Sequence, residues 1–258
     1  MTMILFHGEP NGPSLTVLAA LYETGADADA ELVAVDLGKG ERHARAGTSR
    51  EAEMSIEGEG PVLVCGGEAM ADSVFLAQYI DESAGGGLQP ADPFARWEME
   101  MWCRFMIERV APAAALLGNR AFLTPRLQAM SDAEFEALVG RIASADLAER
   151  WRRIRDGDFP EAQLEDSRGK IRLAVERLEK RIDGDWILGA FTIADLETYA
   201  WLAGMAELVP EAFENAPKTR AWLERMGERD CVRKALALAR IEDPLRAWAP
   251  GPEINRWG

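Results

Sequence analysis

Two stretches of the sequence place a small polar side chain where a helix is predicted to begin. Ser14 follows the loop at residues 9–13, and the pair Asp72 and Ser73 follows a short hairpin. The unpaired N–H groups of a helix N-terminus, together with a nearby hydroxyl, can stabilise an anion such as a thiolate or a carboxylate. Asp and Ser are also ordinary helix caps, so a purely structural role fits the same residues. The two stretches predict a candidate anion site.

The second stretch is typical of a strand, a turn, a strand and a helix. Gly60 and Pro61 lead into the apolar run Val62 to Cys65, and a Gly-Gly pair then supplies a tight turn before Asp72. Pro61 has no N–H and cannot donate to a sheet ladder, so it belongs at the start of the strand. We predict that the peptide bond before Pro61 is cis, with the missing N–H facing a ligand cleft.

The elements that must position these residues follow the order β-α-β-loop-β-β-α up to about Ser83. The first strand is Met3 to Phe6, and the first helix begins at a Ser14 cap. The second strand is Glu31 to Val35, and a polar loop then extends to Glu57. This order predicts an α/β domain over residues 1–83.

A linker and an all-helical region are predicted to follow. Residues 84–93 are rich in Gly and Pro, which is typical of a linker, and no strand pattern of any length follows them. The predicted helical domain covers residues 94–258. Its helix signals are two capping boxes and two apolar series at helical spacing: Ser131 with Glu134, Thr192 with Asp195, the series Phe94, Trp97, Met101 and Phe105, and the series Ile171, Val175, Leu178 and Ile182.

Five tryptophans in this helical region have two interpretations. Large aromatic residues at helical spacing are usually core, and we predict that most of these are buried. Alternatively, one or two of them could line an aromatic substrate pocket together with two methionines. The residues are Trp97, Trp102, Trp186, Trp201 and Trp222, with Met106 and Met205.

Composition narrows the function classes. The chain of 258 residues has 44 acidic and 29 basic residues and a formal charge of −15, which argues against nucleic acid or an anionic membrane as a partner. Its three cysteines are scattered, without a CxxC pair or metal-ligand spacing, so no metal is expected and a reducing cytoplasm fits best. The first ten residues lack the basic segment of a signal peptide.

Several strings give the chain a resemblance to the glutathione S-transferase superfamily. FTIADLETYAW is similar to the capping box of its helical domain, and NGPSLTVLAALYETG and LQPADPFARWEMEMW resemble the glutathione-dependent β-aryl etherases of lignin-degrading bacteria. MSDAEFEAL and ERWRRIRDGDFPEAQLEDSRGKI resemble an insertion in those etherases that other glutathione transferases lack. The resemblance implies an α/β N-terminal thioredoxin-like domain followed by an all-α C-terminal domain, with glutathione as cosubstrate.

The resemblance also implies roles for particular residues. Ser14 would be the catalytic residue that stabilises the glutathione thiolate, with Asn11 and Thr16 as polar alternatives nearby. The remaining implied residues bind glutathione: Gly60 and Pro61 its cysteinyl group, Asp72 and Ser73 its γ-glutamyl end, and His43 its glycyl carboxylate. Glu57 and Gly60 depart from the family pattern, which has a basic residue and usually a valine there.

Three functions remain open from the sequence. The first is cleavage of the β-aryl ether bond in a lignin-derived aromatic ketone, in which the thiolate displaces a phenolate and leaves a glutathione thioether. The second is another glutathione transferase or lyase reaction. The third is a weakly active or inactive subunit that pairs with a related chain. The resemblance implies a dimer, either a homodimer or a heterodimer.

Overall fold

The computed structural model describes residues 3–39, 41, 60–142 and 144–248. A four-stranded mixed sheet has the order β2-β1-β3-β4, in which β1 pairs parallel with β2 and antiparallel with β3, and β3 pairs antiparallel with β4. The strands agree with the prediction to within one residue at each end: β1 Met3–His7, β2 Ala30–Ala34, β3 Val62–Cys65 and β4 Glu68–Ala71.

Two helices pack together beside this sheet. Helix α1 is Gly12–Thr24 and helix α2 is Ser73–Ser83. Both are richly apolar, and Leu15, Leu18 and Leu76 are each at most 1% exposed. The burial of these side chains fixes both helix starts at one edge of the sheet.

The rest of the described chain is helical. Two five-residue π-helical segments, Met106–Val110 and Asn119–Leu123, interrupt the long helical run that begins at Pro93. The predicted capping boxes at Ser131 and Thr192 are both present. The helices are α3 Pro93–Phe105, α4 Ala111–Gly118, α5 Thr124–Gln128, α6 Asp132–Val139, α7 Ala145–Asp156, α8 Glu161–Arg181, α9 Ile193–Leu202, α10 Met205–Leu208, α11 Pro217–Glu228 and α12 Asp230–Leu236.

The absence of sheet structure beyond residue 90 is confirmed for the described residues, where only two isolated β-bridges occur. One continuous hydrophobic core joins the sheet, α1 and α2 to the helical region. A second, smaller core lies among α5, α6 and α7. The domain limits at residues 83 and 94 stay a prediction.

The tryptophan predictions have mixed outcomes. Trp222 and Trp201 are buried, and Trp102 and Trp186 are half-buried against the core, as expected. Trp97 is 52% exposed and is therefore not one of the buried tryptophans. Its helix α3 turns one apolar stripe outward instead of into the core. Met106 and Met205 are fully buried and belong to the core.

Two local predictions near the candidate site are also corrected. The described chain contains no cis peptide bond, so the prediction of a cis Pro61 is wrong. Pro61 precedes the first ladder residue, Val62, so its missing N–H breaks no sheet bond and the intrinsically favoured trans isomer suffices. Helix α1 begins two residues before Ser14, with Asn11 as its N-cap, so Ser14 is not the cap. Pro13, with its preset φ, fits the first turn of the helix, which lets it start earlier.

His43 and Glu57 lie outside the described residues. No helix among the described residues has the length and apolar character that crossing a membrane requires.

Candidate active site

The sheet register brings the candidate segments together. Phe6 on β1 lies opposite Val62 on β3, and Val62 lies opposite Ala71 on β4. Three chain segments therefore meet at one end of the strands, which we call the sheet edge. They are the segment from β1 to Ser14, the segment that enters β3 through Pro61, and the segment that leaves β4 at Asp72.

Ser14 lies in the first turn of α1 with its hydroxyl held in place. Its Oγ accepts a hydrogen bond from the backbone N–H of Gly8 at 2.9 Å, and the residue is 3% exposed. Within the described chain the hydroxyl donates to no protein acceptor, so its hydrogen is available to an anion. The loop that makes this turn depends on Gly12, whose φ of +48° favours glycine and whose added Cβ would lie 3.3 Å from the Trp201 ring.

The two polar alternatives to Ser14 have different positions. Asn11 is buried; its Nδ2 donates to the Leu245 carbonyl at 3.2 Å, whereas its Oδ1 has no hydrogen-bond partner in the described chain. A buried amide oxygen without a partner is the kind of atom that a ligand N–H can satisfy. Thr16 is fully buried and donates to Glu197 at 2.8 Å, so its hydroxyl does not face the same space.

The start of α2 is built around a strained aspartate. Asp72 has a φ of 80°, the only positive value for a non-glycine residue in the described chain. Such strain costs about 1–3 kcal/mol and tends to occur at functional sites. Its carboxylate accepts from the N–H groups of Val74 and Phe75 at 3.0 and 3.2 Å. The expectation that these N–H groups are open to a ligand is therefore wrong, because the Asp72 carboxylate occupies them itself.

The Asp72 carboxylate has an altered proton affinity. The residue is exposed overall, but the surrounding protein partly desolvates its carboxylate. This desolvation raises the pKa of Asp72, whereas the two backbone hydrogen bonds lower it by a smaller amount. A carboxylate at this position is suited to an ammonium group on a ligand.

The Ser73 hydroxyl is hydrogen-bonded to a buried carboxylate. The residue is 5% exposed, and its Oγ donates to Glu197 Oε2 at 3.0 Å. Gly60 is half-buried with no atom within 4 Å of an added Cβ, and Pro61 is buried. The open space at Gly60 leaves room for a ligand to approach its backbone.

Sequence reasoning missed two features of this site. The first is Glu197, a fully buried carboxylate in contact with both helix starts. Its sequence signal is a charged residue in the otherwise mostly apolar string FTIADLETYAW. The second is the C-terminal segment, in which Arg240 forms an ion pair with Glu9 at 2.9 Å and Leu245 accepts from Asn11. This segment lies against the loop that precedes α1, and no local pattern predicts the contact.

Comparison with known proteins shows which family of proteins this chain is similar to. Residues 129–230 match the model of the glutathione S-transferase C-terminal domain. Protein LigF of Sphingobium sp. strain SYK-6 is 29% identical over 259 residues, which cover 95% of this chain and 97% of that protein.

Solved structures extend the comparison. The crystal structure of the β-etherase LigF has a TM-score of 0.81 and 28% identity, and the match covers 92% of this chain and 99% of that one. A glutathione transferase from Pseudomonas putida, with one glutathione disulfide bound per subunit, has a TM-score of 0.63 and 19% identity over 92% of this chain and 91% of that one.

The fold and the matched C-terminal domain are similar to those of glutathione transferases. The resemblance to the glutathione S-transferase superfamily is thereby confirmed, and among the proteins compared, the β-etherase LigF is similar over almost the whole chain.

Proposed function

We propose that this chain is a glutathione-dependent enzyme that cleaves β-aryl ether bonds in lignin-derived aromatic ketones. The observation that carries the proposal is the similarity to the β-etherase LigF, which runs over 95% of the chain in sequence and 92% in structure. A likeness of this length includes both the region around Ser14 and the helical region that would hold the second substrate.

The start of α1 supports thiolate chemistry. A thiol has a free pKa of about 8.5, so at neutral pH it needs help to ionise. The α1 N-terminus supplies a partial positive charge, and the available Ser14 hydrogen supplies a hydrogen bond to the sulfur anion. Ser14 is therefore our proposed catalytic residue.

The reaction is a displacement at carbon. The glutathione sulfur forms a bond to the carbon that carries the aryloxy group, next to the ketone, while the carbon–oxygen bond breaks and the phenolate leaves with the electron pair. The phenolate takes up a proton from solvent. Holding the sulfur and the carbon in line is the main contribution of the enzyme besides thiolate formation.

We assign the glutathione contacts to the other residues at the sheet edge. The strained Asp72 faces the ammonium of the γ-glutamyl end, beside Ser73, and the backbone at Gly60 and Pro61 faces the cysteinyl group. His43 remains our proposal for the glycyl carboxylate.

Product analysis tests the function directly. The purified chain is incubated with glutathione and an α-keto β-aryl ether, and the products are separated by chromatography. We expect a phenol and a glutathione thioether in equal amounts, each dependent on glutathione. Conjugation to an activated aryl halide without ether cleavage would instead support a different glutathione transferase reaction.

An exposed apolar face supports a dimer. Phe75 on α2 and Phe94, Trp97 and Met101 on α3 are 68%, 64%, 52% and 42% exposed. Three of them, Phe75, Trp97 and Met101, line a groove of about 480 Å³ together with Asp72. Exposed aromatic clusters of this kind mark association sites. We propose that a second glutathione transferase chain covers this face, in a homodimer or with a related chain.

Sedimentation tests the dimer. We expect the wild-type chain to sediment as a dimer and Trp97→Glu to sediment as a monomer with an unchanged circular dichroism spectrum. A wild-type monomer that dimerises and gains ether cleavage only on mixing with a related chain would identify the heterodimer. A wild-type chain that stays monomeric with every such chain would contradict the proposal.

We also propose a cytoplasmic location. Among the described residues no disulfide joins the three buried cysteines, Cys65, Cys103 and Cys231. Buried cysteines that form no disulfide are typical of a reducing compartment.

A further inference from the structure

Glu197 on α9 connects the starts of α1 and α2. The residue is fully buried. Its Oε2 accepts hydrogen bonds from Thr16 on α1 at 2.8 Å and from Ser73 on α2 at 3.0 Å, and its Oε1 accepts from the Trp201 indole at 2.7 Å. One carboxylate therefore fixes a side chain from each of the two helices that form the candidate site.

This carboxylate has only neutral partners. Among the described residues no Lys, Arg or His forms an ion pair with Glu197, and its three donors are two hydroxyls and an indole. A buried carboxylate without a cation is costly to ionise. Burial raises the pKa of Glu197 to about 7, and the charge of Asp72 adds to this rise, whereas the hydrogen bonds oppose it. Both protonation states are thus accessible near neutral pH.

The protonation state of Glu197 decides what Ser73 can offer a ligand. A hydroxyl has a single hydrogen to donate, and an ionised carboxylate can only accept. While Glu197 is ionised, Ser73 must donate to it and can only accept from a ligand. When Glu197 is protonated, the carboxyl can donate to a hydroxyl, and the Ser73 hydrogen is released.

We propose that Glu197 is a positioning residue that sets the direction of the Ser73 hydroxyl and thereby couples the binding of the γ-glutamyl carboxylate to the uptake of one proton. The inference rests on the proposed function, since glutathione supplies that carboxylate. The proton comes from solvent and resides on Glu197, and the freed Ser73 hydrogen is donated to the ligand. Glu197 itself touches neither the ligand nor the reacting atoms.

Other ionisable groups around Glu197 define the necessary controls. The charge of Asp72 acts directly on Glu197. Burial raises the pKa of the Cys103 thiol on α3 well above its ordinary value, and the charges of Glu197 and Asp72 add to this rise. Helix α4 carries no ionisable residue. The charged groups to consider are Asp72, Glu100, Cys103 and Asp195 near the site, with Glu23 of α1 bonded to Arg229 and Glu207 of α10 bonded to Arg246.

The test is the pH dependence of ligand binding without a titrating thiol. S-methylglutathione, a thioether, is titrated calorimetrically into the wild-type chain from about pH 5.5 to 8.5, and the wild-type profile is read relative to that of Glu197→Gln, which shares any loss of the ligand's ammonium proton. We expect the affinity to fall up to about tenfold per pH unit above about pH 7, with one proton taken up per ligand bound. Buffers of different ionisation enthalpy measure that proton.

Three variants separate positioning from fold maintenance. Glu197→Gln replaces the carboxylate with an amide that does not titrate, so we expect less than about a threefold change in affinity across the same range. Ser73→Ala removes the responding hydroxyl and should flatten the profile with Glu197 intact. Thr16→Val, the matched control, removes the other donor to the same oxygen but leaves Ser73, so the pH dependence should persist and shift to higher pH.

The outcomes distinguish this inference from the proposed function. A wild-type chain that binds S-methylglutathione with no pH dependence, or a Glu197→Gln profile like that of the wild type, would overturn the inference alone. A wild-type chain that fails to bind at every pH would overturn the proposed function and the inference with it. If Glu197→Gln does not fold, a Ser73→Ala profile that keeps the wild-type pH dependence overturns the inference.

Discussion

The two helix starts at the candidate site are built in opposite ways. Helix α1 has no acidic residue in its first turn and no side-chain cap, and its Ser14 hydroxyl accepts from Gly8 and keeps its own hydrogen. Helix α2 is capped by its own Asp72 carboxylate, and its Ser73 hydroxyl donates to Glu197. The first start is arranged to stabilise a negative charge, and the second presents a negative charge.

This difference assigns the two starts to two parts of one ligand. A thiolate fits the α1 start, because the helix dipole and a free hydroxyl hydrogen both favour an anion. An ammonium group fits the α2 start, because Asp72 supplies a carboxylate there. A tripeptide such as glutathione carries both groups, so changes at α1 should affect turnover and changes at α2 should affect binding.

The largest expected effect follows from Ser14→Ala. A hydrogen bond to a charged group contributes about 1.5–3 kcal/mol, so kcat should fall roughly 10- to 150-fold. The melting temperature should change little, because Ser14 is not the cap of α1. Steady-state kinetics at saturating glutathione, with a melting curve, measure both quantities.

Ser167→Ala is the matched control for this variant. Ser167 is also fully buried, on α8, and its hydroxyl has no hydrogen-bond partner in the described chain. The control should keep the wild-type rate. If Ser14→Ala also keeps it, the thiolate role moves to Asn11 or to the backbone N–H groups of α1.

Changes at Asp72 should affect binding rather than turnover. Asp72→Ala should raise the half-saturating glutathione concentration about tenfold, as expected for the loss of one exposed charge-assisted contact, with a smaller effect on kcat. It should also cost about 1 kcal/mol of stability through the lost cap. Asp72→Asn keeps a cap and tolerates the positive φ. Equal KM increases in both variants would show that the charge is what matters, and an unchanged KM in both would remove Asp72 from the site.

A further expected effect is a pH dependence of stability that originates at Glu197, which accepts a hydrogen bond from Ser73 at the α2 start. The pKa of Glu197 is raised to about 7 in the folded chain from an ordinary value of 4.5, so between these values the folded chain binds more protons than the unfolded one. The free energy of unfolding should therefore fall as the pH rises through this window and stay low above it. Glu197→Gln has no titrating group at this position. The difference between its melting temperature and that of the wild type should therefore increase as the pH rises through this window. Circular dichroism melts over that range measure the difference, and a constant difference would contradict the raised pKa.

The elements that sequence reasoning predicted correctly are specified by neighbouring residues. Asp195 is an example, because its carboxylate accepts from the backbone N–H groups of Thr192 and Ile187, both within eight residues. The capping-box pattern in the sequence therefore predicts the role of Asp195 at the helix start. The hairpin between Val62 and Ala71 is likewise encoded by adjacent apolar and glycine residues.

The features that sequence reasoning missed depend on contacts between distant residues. Glu197 lies two positions from Asp195, yet one of its donors, Thr16, is 181 residues away. The Asn11 contact with Leu245 spans 234 residues. The direction of the Ser73 hydroxyl depends on the packing of α9 against α1 and α2. No local sequence pattern predicts this packing. The exposed stripe on α3, with Trp97, is missed for the same reason, because periodicity shows an apolar face but not what covers it.

The most direct test of the α1 start is the ionisation of bound glutathione. The ultraviolet absorbance of the thiolate is followed against pH for glutathione bound to the wild-type chain and to Ser14→Ala. We predict that the wild-type complex ionises well below the free thiol pKa of about 8.5, and that Ser14→Ala raises the bound pKa by about 1–2 units. A wild-type complex whose thiol ionises like free glutathione would contradict the assignment of the α1 start as the site of thiolate formation.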